Sequence, residues 1–218
     1  MKVNSDKLNV AEPHDDTLVD EVLKNYFDYS IDAISSLKNN IDTINKMVFG
    51  IYQSQLNGGK LLIGGNGGSS ADAQHFAGEM TCTYKDPNRR AFSAISLTTN
   101  ASAITAWAND FGFDSYFSRQ VKAHGKPGDV LFLISTGGGD RNKGYSMNLV
   151  HAADVALELG LKLYSLVGKT GGELSKISHE YIIVQSNTTS HIQEAHITII
   201  HSICESLDDL VKKEEGVK

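Results

Sequence analysis

The sequence predicts an α/β fold in which helices precede a parallel sheet of five strands. Short apolar runs alternate with segments of helical periodicity, a pattern typical of βαβ units. Glycine-rich turns follow two of these runs, at residues 64–68 and 137–139. The chain has 218 residues and is 40% hydrophobic, which is enough to bury the core of one main domain.

The N-terminal quarter of the chain predicts an arm and then helices. Residues 1–16 are polar and irregular, so we expect a mobile arm there. Apolar residues recur at helical spacing through residues 17–57, which predicts two helices that break near Asn39 and Asn40. Their length before the first strand suggests packing on another subunit as well as on the sheet. Residues 58–218 would then form the domain that contains the sheet.

The predicted strands are the apolar runs at residues 61–63, 91–97, 129–134, 161–167 and 181–184. Helices separate them, and a long amphipathic helix over about residues 192–211 follows the last strand. Parallel strands joined by right-handed crossovers place ligand-binding loops at their carboxyl ends. The loops after the first three strands are therefore candidates for a functional site.

Composition and motifs exclude several classes of function. The net charge of −6 and the absence of a basic cluster argue against a nucleic-acid-binding surface. Cys82 and Cys204 are too few for a disulfide framework, and we expect both thiols to be reduced and buried. No leader pattern or long apolar run occurs, so we expect a cytoplasmic protein without membrane contact. The GKT sequence at 168–170 lacks the leading glycine of a P-loop, since Leu163 stands there.

Residues 60–79 combine an anion-binding turn with a His/Glu pair. The glycines allow close approach of the backbone to an anion, and the N-terminus of the following helix favours a phosphate or carboxylate. His75 and Glu79 lie four residues apart, which puts them on one helix face about 6 Å apart. Gln193 and His201 on the last helix also point within about 80° of each other. These four side chains would suit Zn²⁺ or another divalent ion, but periodicity alone does not show that the two helices meet.

Four motifs, in this order, resemble the sugar isomerase (SIS) domain family and especially its phosphoheptose isomerase branch: GNGGSSADAQHFAGE, SLTTNASAITAWANDFGFDSYFSRQV, PGDVLFLISTGGG and HIQEAHITIIH. The similarity extends from about residue 20 to residue 211. It implies a three-layer α/β/α sandwich of flavodoxin-like, nucleotide-binding-type topology. It also implies a homotetramer with active sites between subunits, and a sugar phosphate as the small-molecule substrate.

The resemblance also implies roles for individual residues. Glu79 and His201 would be catalytic, and a divalent metal, usually zinc in the family, would bind His75, Glu79, Gln193 and His201. An Asp is usual in the family where Asn100 stands. The residues that match substrate-binding or phosphate-binding positions are Asn66, Gly67, Gly68, Ser69, Glu79, Thr99, Asn100, Ser135, Thr136, Gly137, Ser146 and Gln193.

The phosphate loop departs from the family pattern STSGNS. We align Ser146 with the last serine of that pattern, which makes residues 140–145 a six-residue insertion. One hydroxyl is then lost at Gly137, while Arg141 and Lys143 could add cationic contacts. An ungapped alignment would instead put Asp140 beside the phosphate and repel it.

The implied reaction converts D-sedoheptulose 7-phosphate to D-glycero-D-manno-heptose 7-phosphate through a metal-stabilised enediolate. Glu79 would move the proton between C1 and C2, and His201 would act as its acid/base partner. Two alternatives remain open. One is isomerisation of a related ketose phosphate, such as an octulose 8-phosphate. The other is a non-catalytic SIS module that binds a sugar phosphate or a protein. The pathway served, whether lipopolysaccharide, capsule or another glycoconjugate, also stays open.

Overall fold

The structure is a computed structural model that describes residues 16–216. Apart from Asp16, the predicted mobile arm lies outside the described residues. Helix α1 covers Asp16–Ser36, a 3₁₀ turn covers Leu37–Asn40, and helix α2 covers Ile41–Leu56. The predicted break near the two asparagines is therefore confirmed.

The described residues form a five-stranded parallel sheet, as predicted. Its strands are β1 (Leu61–Gly65), β2 (Ala94–Ser96), β3 (Val130–Ser135), β4 (Lys162–Gly168) and β5 (Glu180–Val184). They are arranged in the order β2-β1-β3-β4-β5, which is the flavodoxin-like order. In such sheets the ligand crevice opens where the strand order reverses, here between β1 and β3.

Helices cover both faces of the sheet and complete the three layers. They are α3 (Gly68–Thr81), α4 (Ala101–Phe111), α5 (Tyr116–His124), α6 (Met147–Glu158), α7 (Leu174–Ile177) and α8 (Thr189–Glu215). Successive residues of β3 point to opposite faces. Phe132 belongs to the core formed with α2, α3 and α8. Leu131 and Leu133 belong to the core formed with α5 and α6.

Three details differ from the sequence-based expectations. Strand β2 is shorter than residues 91–97, because the Phe92 N–H donates to the Met80 carbonyl and the Ser93 N–H donates to the Gln55 side chain. Helix α8 is longer than residues 192–211. Cys204 is buried as expected, but Cys82 is exposed because it stands at the C-terminal end of α3. None of the helices within residues 16–216 is both long enough and apolar enough to cross a membrane.

Candidate functional site

A cavity of about 430 Å³ opens at the switch point between β1 and β3. The register pairs Gly65 with Ile134, so both strands end at the same level and their exit loops lie side by side. Nine of the predicted substrate-binding residues line this cavity, together with four residues that the sequence did not single out as ligands. The nine are Asn66, Gly67, Gly68, Ser69, Ser135, Thr136, Gly137, Ser146 and Gln193, and the four are Ile134, Tyr145, Lys169 and Thr189.

The first wall of the cavity is the glycine turn at the start of α3. Gly67 has a φ of 56°, a backbone conformation that glycine adopts without strain. A Cβ on Gly68 would collide with the Gln193 amide, so these two residues are in direct contact. The glycines therefore let the last helix approach the turn closely enough to place Gln193 in the cavity.

Asn66, also in this wall, is held by a reciprocal amide pair with Asn148. Each side chain donates to the other, with N–O distances of 3.0 and 2.8 Å. Asn148 is buried at the start of α6 and fixes the Asn66 amide in place. No local pattern in the sequence indicates this partner, because the two residues are 82 positions apart.

The second wall is built from two loops that interlock through their backbones. The N–H groups of Glu173 and Leu174 donate to the carbonyls of Gly139 and Gly138, at 3.0 and 2.9 Å. A Cβ on Gly138 would collide with the backbone of Gly171. The glycines after β3 thus allow the loop after β4 to pack directly onto the predicted phosphate loop.

The predicted insertion, residues 140–145, forms a small hairpin beside the cavity. Asp140 and Tyr145 exchange two backbone hydrogen bonds, of 3.0 and 3.1 Å. The Arg141 guanidinium lies 2.6 Å from Asp154 and 3.7 Å from Glu173, so it anchors the hairpin to α6 and the β4 loop. The hypothesis that Arg141 contacts the phosphate is therefore not supported, because these carboxylates hold it elsewhere.

Ser146 follows the hairpin at the N-terminal end of α6. Its φ of 51° places it in the left-handed region, and its side chain makes no capping hydrogen bond to the helix. The Ser146 hydroxyl does not serve as a helix cap, although the residue lines the cavity.

His75, Glu79 and His201 come together where α3 lies against α8. The His75 Nε2 atom is 3.0 Å from Glu79 Oε1. The rings of His75 and His201 are 5.1 Å apart between centroids, and His201 also stacks on Tyr84 at 5.7 Å. Three of the four predicted metal ligands thus lie in one cluster, which we call the His/Glu cluster.

The fourth predicted ligand, Gln193, lies closer to the cavity. Residues 16–216 contain no group of three His, Cys, Asp or Glu side chains already arranged around a metal position. Burial, with Glu79 nearby, raises the pKa of the Cys204 thiol to about 12. The donors predicted for a metal at the His/Glu cluster are imidazole, carboxylate and amide groups.

The cavity and the His/Glu cluster lie along the same pair of helices. Gly68 contacts Gln193 at one point, and His75 contacts His201 seven and eight residues further along α3 and α8. Residue numbers increase from the first contact to the second on both helices, so the two helices run parallel. At 1.5 Å per residue, the two contacts are about 10 to 12 Å apart.

A buried ion pair holds α8 against the segment that follows α3. Arg89 Nε lies 2.6 Å from Asp208 Oδ1, and both side chains are almost fully buried. The other Asp208 oxygen accepts the backbone N–H groups of Lys85 and Asp86. Arg89 also donates to the Glu79 carbonyl at 2.7 Å. The backbone that carries Glu79 is thereby fixed relative to the helix that carries His201.

Thr99 and Asn100 do not line the switch-point cavity. The Asn100 side chain accepts the Ala103 N–H and caps α4, while Thr99 donates to the Ser96 carbonyl. These residues follow β2, which lies on the far side of β1 from β3. Their predicted contact with substrate stays a prediction.

Two further titratable side chains have perturbed pKa values. Burial lowers the pKa of His196 to about 4, and its Nε2 atom contacts the Val167 carbonyl at 3.2 Å. Desolvation raises the pKa of Asp72, one turn before His75, to about 6, against the opposing effect of His75. His196 is therefore neutral within the core. Its contact with the Val167 carbonyl joins α8 to the end of β4.

A parallel sheet of this strand order, with a glycine-lined polar cavity at its switch point, defines a doubly wound α/β protein, a class that includes the SIS domains. The SIS domain family model matches residues 25–168. The chain is 47% identical over 178 residues to the phosphoheptose isomerase of Citrifermentans bemidjiense, which covers 82% of this chain and 85% of the relative. It is 41% identical over 192 residues to that of Helicobacter pylori strain P12, covering 88% and 96%.

Solved structures agree with these sequence relatives. The structure of phosphoheptose isomerase from Neisseria gonorrhoeae superposes with a TM-score of 0.80 at 37% identity, covering 88% of this chain and 99% of that one. The structure of a phosphoheptose isomerase from Francisella tularensis also gives a TM-score of 0.80, at 33% identity, and covers 87% and 97%. The chain therefore belongs to the SIS domain family, in its phosphoheptose isomerase branch.

Proposed function

We propose that this chain converts D-sedoheptulose 7-phosphate to D-glycero-D-manno-heptose 7-phosphate. Family membership makes it a sugar-phosphate isomerase, and its relatives are named phosphoheptose isomerases. In this proposal the phosphate end of the substrate binds the switch-point cavity, and the reacting carbons lie at the His/Glu cluster.

The main support is the separation of the two sites along the helix pair. The contacts that mark them lie about 10 to 12 Å apart on α3 and α8. An extended seven-carbon sugar phosphate has a length of this order between C1 and its phosphorus. One substrate molecule could therefore occupy both sites at once.

The side chains of the cluster match the chemistry of aldose–ketose isomerisation. Removal of a proton from C1 and its return at C2 require a positioned base, which we assign to Glu79. The Glu79 carboxylate is partly buried, with 23% of its side chain exposed, and lies next to the His75 imidazole, which in turn contacts His201. We assign His201 to the transfer of protons at the substrate oxygens, and the Gln193 amide to orientation of the sugar.

The His/Glu cluster also fits a divalent metal, for which we propose His75, Glu79, Gln193 and His201 as ligands. Gln193 points to the cavity end against Gly68, so its side chain would have to turn along α8 towards the cluster to complete this set. The 3.0 Å between His75 Nε2 and Glu79 Oε1 is close to the distance of about 3.3 Å expected between two ligands of tetrahedral zinc. When bound, such an ion would polarise the oxygen atoms at C1 and C2. Metal analysis of the purified protein, before and after chelation, tests this assignment.

The experiment that tests the proposed reaction is Glu79→Gln, assayed for heptose phosphate formation from sedoheptulose 7-phosphate. Loss of the base should lower kcat by about 10²- to 10⁴-fold, with an unchanged unfolding temperature. Glu158→Gln, at an exposed position on α6, is the matched control and should keep full activity. Turnover by Glu79→Gln within threefold of the wild type would reject Glu79 as the base.

A second candidate substrate is a longer ketose phosphate, such as an octulose 8-phosphate. The hairpin of residues 140–145 walls a second cavity of about 530 Å³, which shares Gly137, Tyr145, Ser146 and Lys169 with the first. Comparison of kcat/KM across a series of ketose phosphates of increasing length would distinguish the two substrates.

We also propose that the protein is a homotetramer. Most of α1 is exposed in the single chain, and eight of its large apolar side chains are between 36 and 62% exposed. Monomeric proteins rarely expose an apolar face of this size, so we assign a second copy of the chain as its cover. Light scattering coupled to gel filtration measures the assembly directly. The residues concerned are Leu18, Val19, Val22, Leu23, Tyr26, Phe27, Tyr29 and Ile31.

A further inference from the structure

Lys169 differs from the other residues that line the switch-point cavity. It is the one charged residue in that lining among the residues that the structure describes. Two other lysines border the adjoining cavity, but each faces a carboxylate. Lys176 Nζ lies 2.8 Å from Glu173, and Lys143 Nζ lies 3.9 Å from Asp140. Within residues 16–216, Lys169 has no carboxylate within ion-pair distance.

The backbone holds Lys169 in an unusual conformation at the end of β4. Its φ is 53°, in the left-handed region that non-glycine residues rarely adopt. Its N–H donates to the Ser186 carbonyl at 3.2 Å, and the Gly171 N–H closes the turn onto the Gly168 carbonyl at 2.9 Å. A lysine in place of a less strained glycine suggests that its side chain has a function here.

The predicted phosphate loop offers fewer free donors than its family pattern implies. Gly137 has no hydroxyl, and the Leu149 N–H at the start of α6 already donates to Asn148 Oδ1 and the Ser146 carbonyl. The Gly138 N–H is also used, because it donates to the Ser135 hydroxyl at 3.0 Å. A doubly charged phosphate in this cavity would therefore gain from a cation.

We propose that Lys169 is a substrate-binding residue whose ammonium group pairs with the phosphate of the sugar. The interlock between Gly138 and Gly171 brings its loop onto the phosphate loop, which places Lys169 in the cavity wall. On a chain with a net charge of −6, one unpaired cation in a polar cavity gives local attraction for an anionic ligand. This assignment deepens the proposed function and rests on it for the identity of the sugar.

The test compares Lys169→Met with Lys176→Met, a matched change at a lysine of the adjoining cavity that is paired with Glu173. Lys169→Met should raise KM for sedoheptulose 7-phosphate by about 10- to 100-fold and leave kcat within about threefold, because a hydrogen bond to a charged group is lost far from the reacting carbons. Lys176→Met should leave both constants near wild type. An unchanged KM in Lys169→Met, or an equal rise in both variants, would overturn the assignment.

Calorimetric titration with inorganic phosphate gives a test that does not depend on turnover. Lys169→Met should weaken phosphate binding at least tenfold, and Lys169→Arg should restore most of it. If sedoheptulose 7-phosphate is not a substrate but this loss is observed, the lysine assignment stands and the proposed reaction fails. Equal phosphate affinity in wild type and Lys169→Met refutes the assignment.

Lys169→Gly separates binding from structure. Glycine adopts the positive φ freely, so this variant should unfold at the same temperature as the wild type or higher. It should nevertheless lose phosphate affinity to the same extent as Lys169→Met. Retained affinity in Lys169→Gly would show that the loop backbone alone binds the anion, and would overturn the assignment.

Discussion

The switch-point cavity and the His/Glu cluster lie on the same two helices but are built in different ways. The cavity is shaped by backbone, since Gly67, Gly68 and Gly138 stand where a side chain would be strained or would collide. The cluster is made of side chains, since His75, Glu79 and His201 project from regular helices into a shared space.

Because of this difference, the cavity and the His/Glu cluster should differ in how far they can adjust to a ligand. A side chain on a helix can change rotamer to accept a ligand, so the cluster can adjust when a sugar or metal ion binds. Interlocked loops cannot adjust in this way, because any added atom displaces a neighbouring backbone. We therefore expect the cavity to be preformed and the cluster to rearrange on binding.

The largest effect should come from Asp208→Asn, which acts at the cluster end. The change leaves the Arg89 guanidinium buried without a counter-charge, which should lower the free energy of unfolding by about 3 to 5 kcal/mol. Urea denaturation measures the loss. Asp209→Asn, its exposed neighbour on α8, should change stability by less than about 0.5 kcal/mol.

Asp208→Asn also tests whether the His/Glu cluster and the switch-point cavity can be impaired separately. Arg89 binds the Glu79 carbonyl, so the surviving folded Asp208→Asn protein should lose kcat more than affinity for inorganic phosphate. An equal loss in both would contradict the separation of the two ends.

Gly138→Ala tests the cavity end, with an expected cost of about 3 kcal/mol. A Cβ at this position would meet the backbone of Gly171, and the residue also has a φ of 70°. Gly58→Ala is a close control, because Gly58 has a φ of 74° but nothing within 4 Å of an added Cβ. The control should cost only about 1 to 2 kcal/mol in thermal or urea unfolding. Equal costs would mean that the interlock adds nothing.

The smallest effect concerns His196, which joins α8 to β4 between the two ends. Its pKa is lowered to about 4 by burial, whereas an unfolded histidine titrates near 6.5. Below pH 6.5 the unfolded state therefore binds more protons than the folded state, and stability falls as the pH drops towards 4.

Between pH 7 and pH 5 this histidine should account for about 2 kcal/mol of lost stability. His196→Gln should flatten the pH dependence of urea unfolding over that interval, whatever its effect on stability at pH 7. His124→Gln, at an exposed histidine, should leave the wild-type slope unchanged. A slope that His196→Gln does not alter would show that His196 is not the group that titrates.

The sequence predicted the sheet and much of the site because both leave local patterns. Apolar runs and glycine turns marked the strand ends, and the spacing of four residues put His75 and Glu79 on one helix face. The same local logic could not find Asn148 or the anchoring role of Arg141, since each depends on a partner in another element. The charge of Arg141 allows a contact with the phosphate, but the sequence does not show the two carboxylates that hold it.

Lys169 is a second residue whose surroundings the sequence does not reveal. The sequence GKT resembles the end of a P-loop, but the rest of that pattern is missing. What brings Lys169 to the cavity is the contact between two glycine loops, which no spacing in the sequence indicates. The sequence gives the position of Lys169 in the chain, but not the residues that surround it in the fold.

The exposed face of α1 has a consequence for how this protein behaves on dilution. Little of this helix is buried by its own chain, since Ala33 is its one fully buried residue among those described. If other protomers supply the rest of its packing, mass action links folding of α1 to protein concentration. Helical content and melting temperature would then fall together as the protein is diluted, which makes the first helix a reporter of assembly.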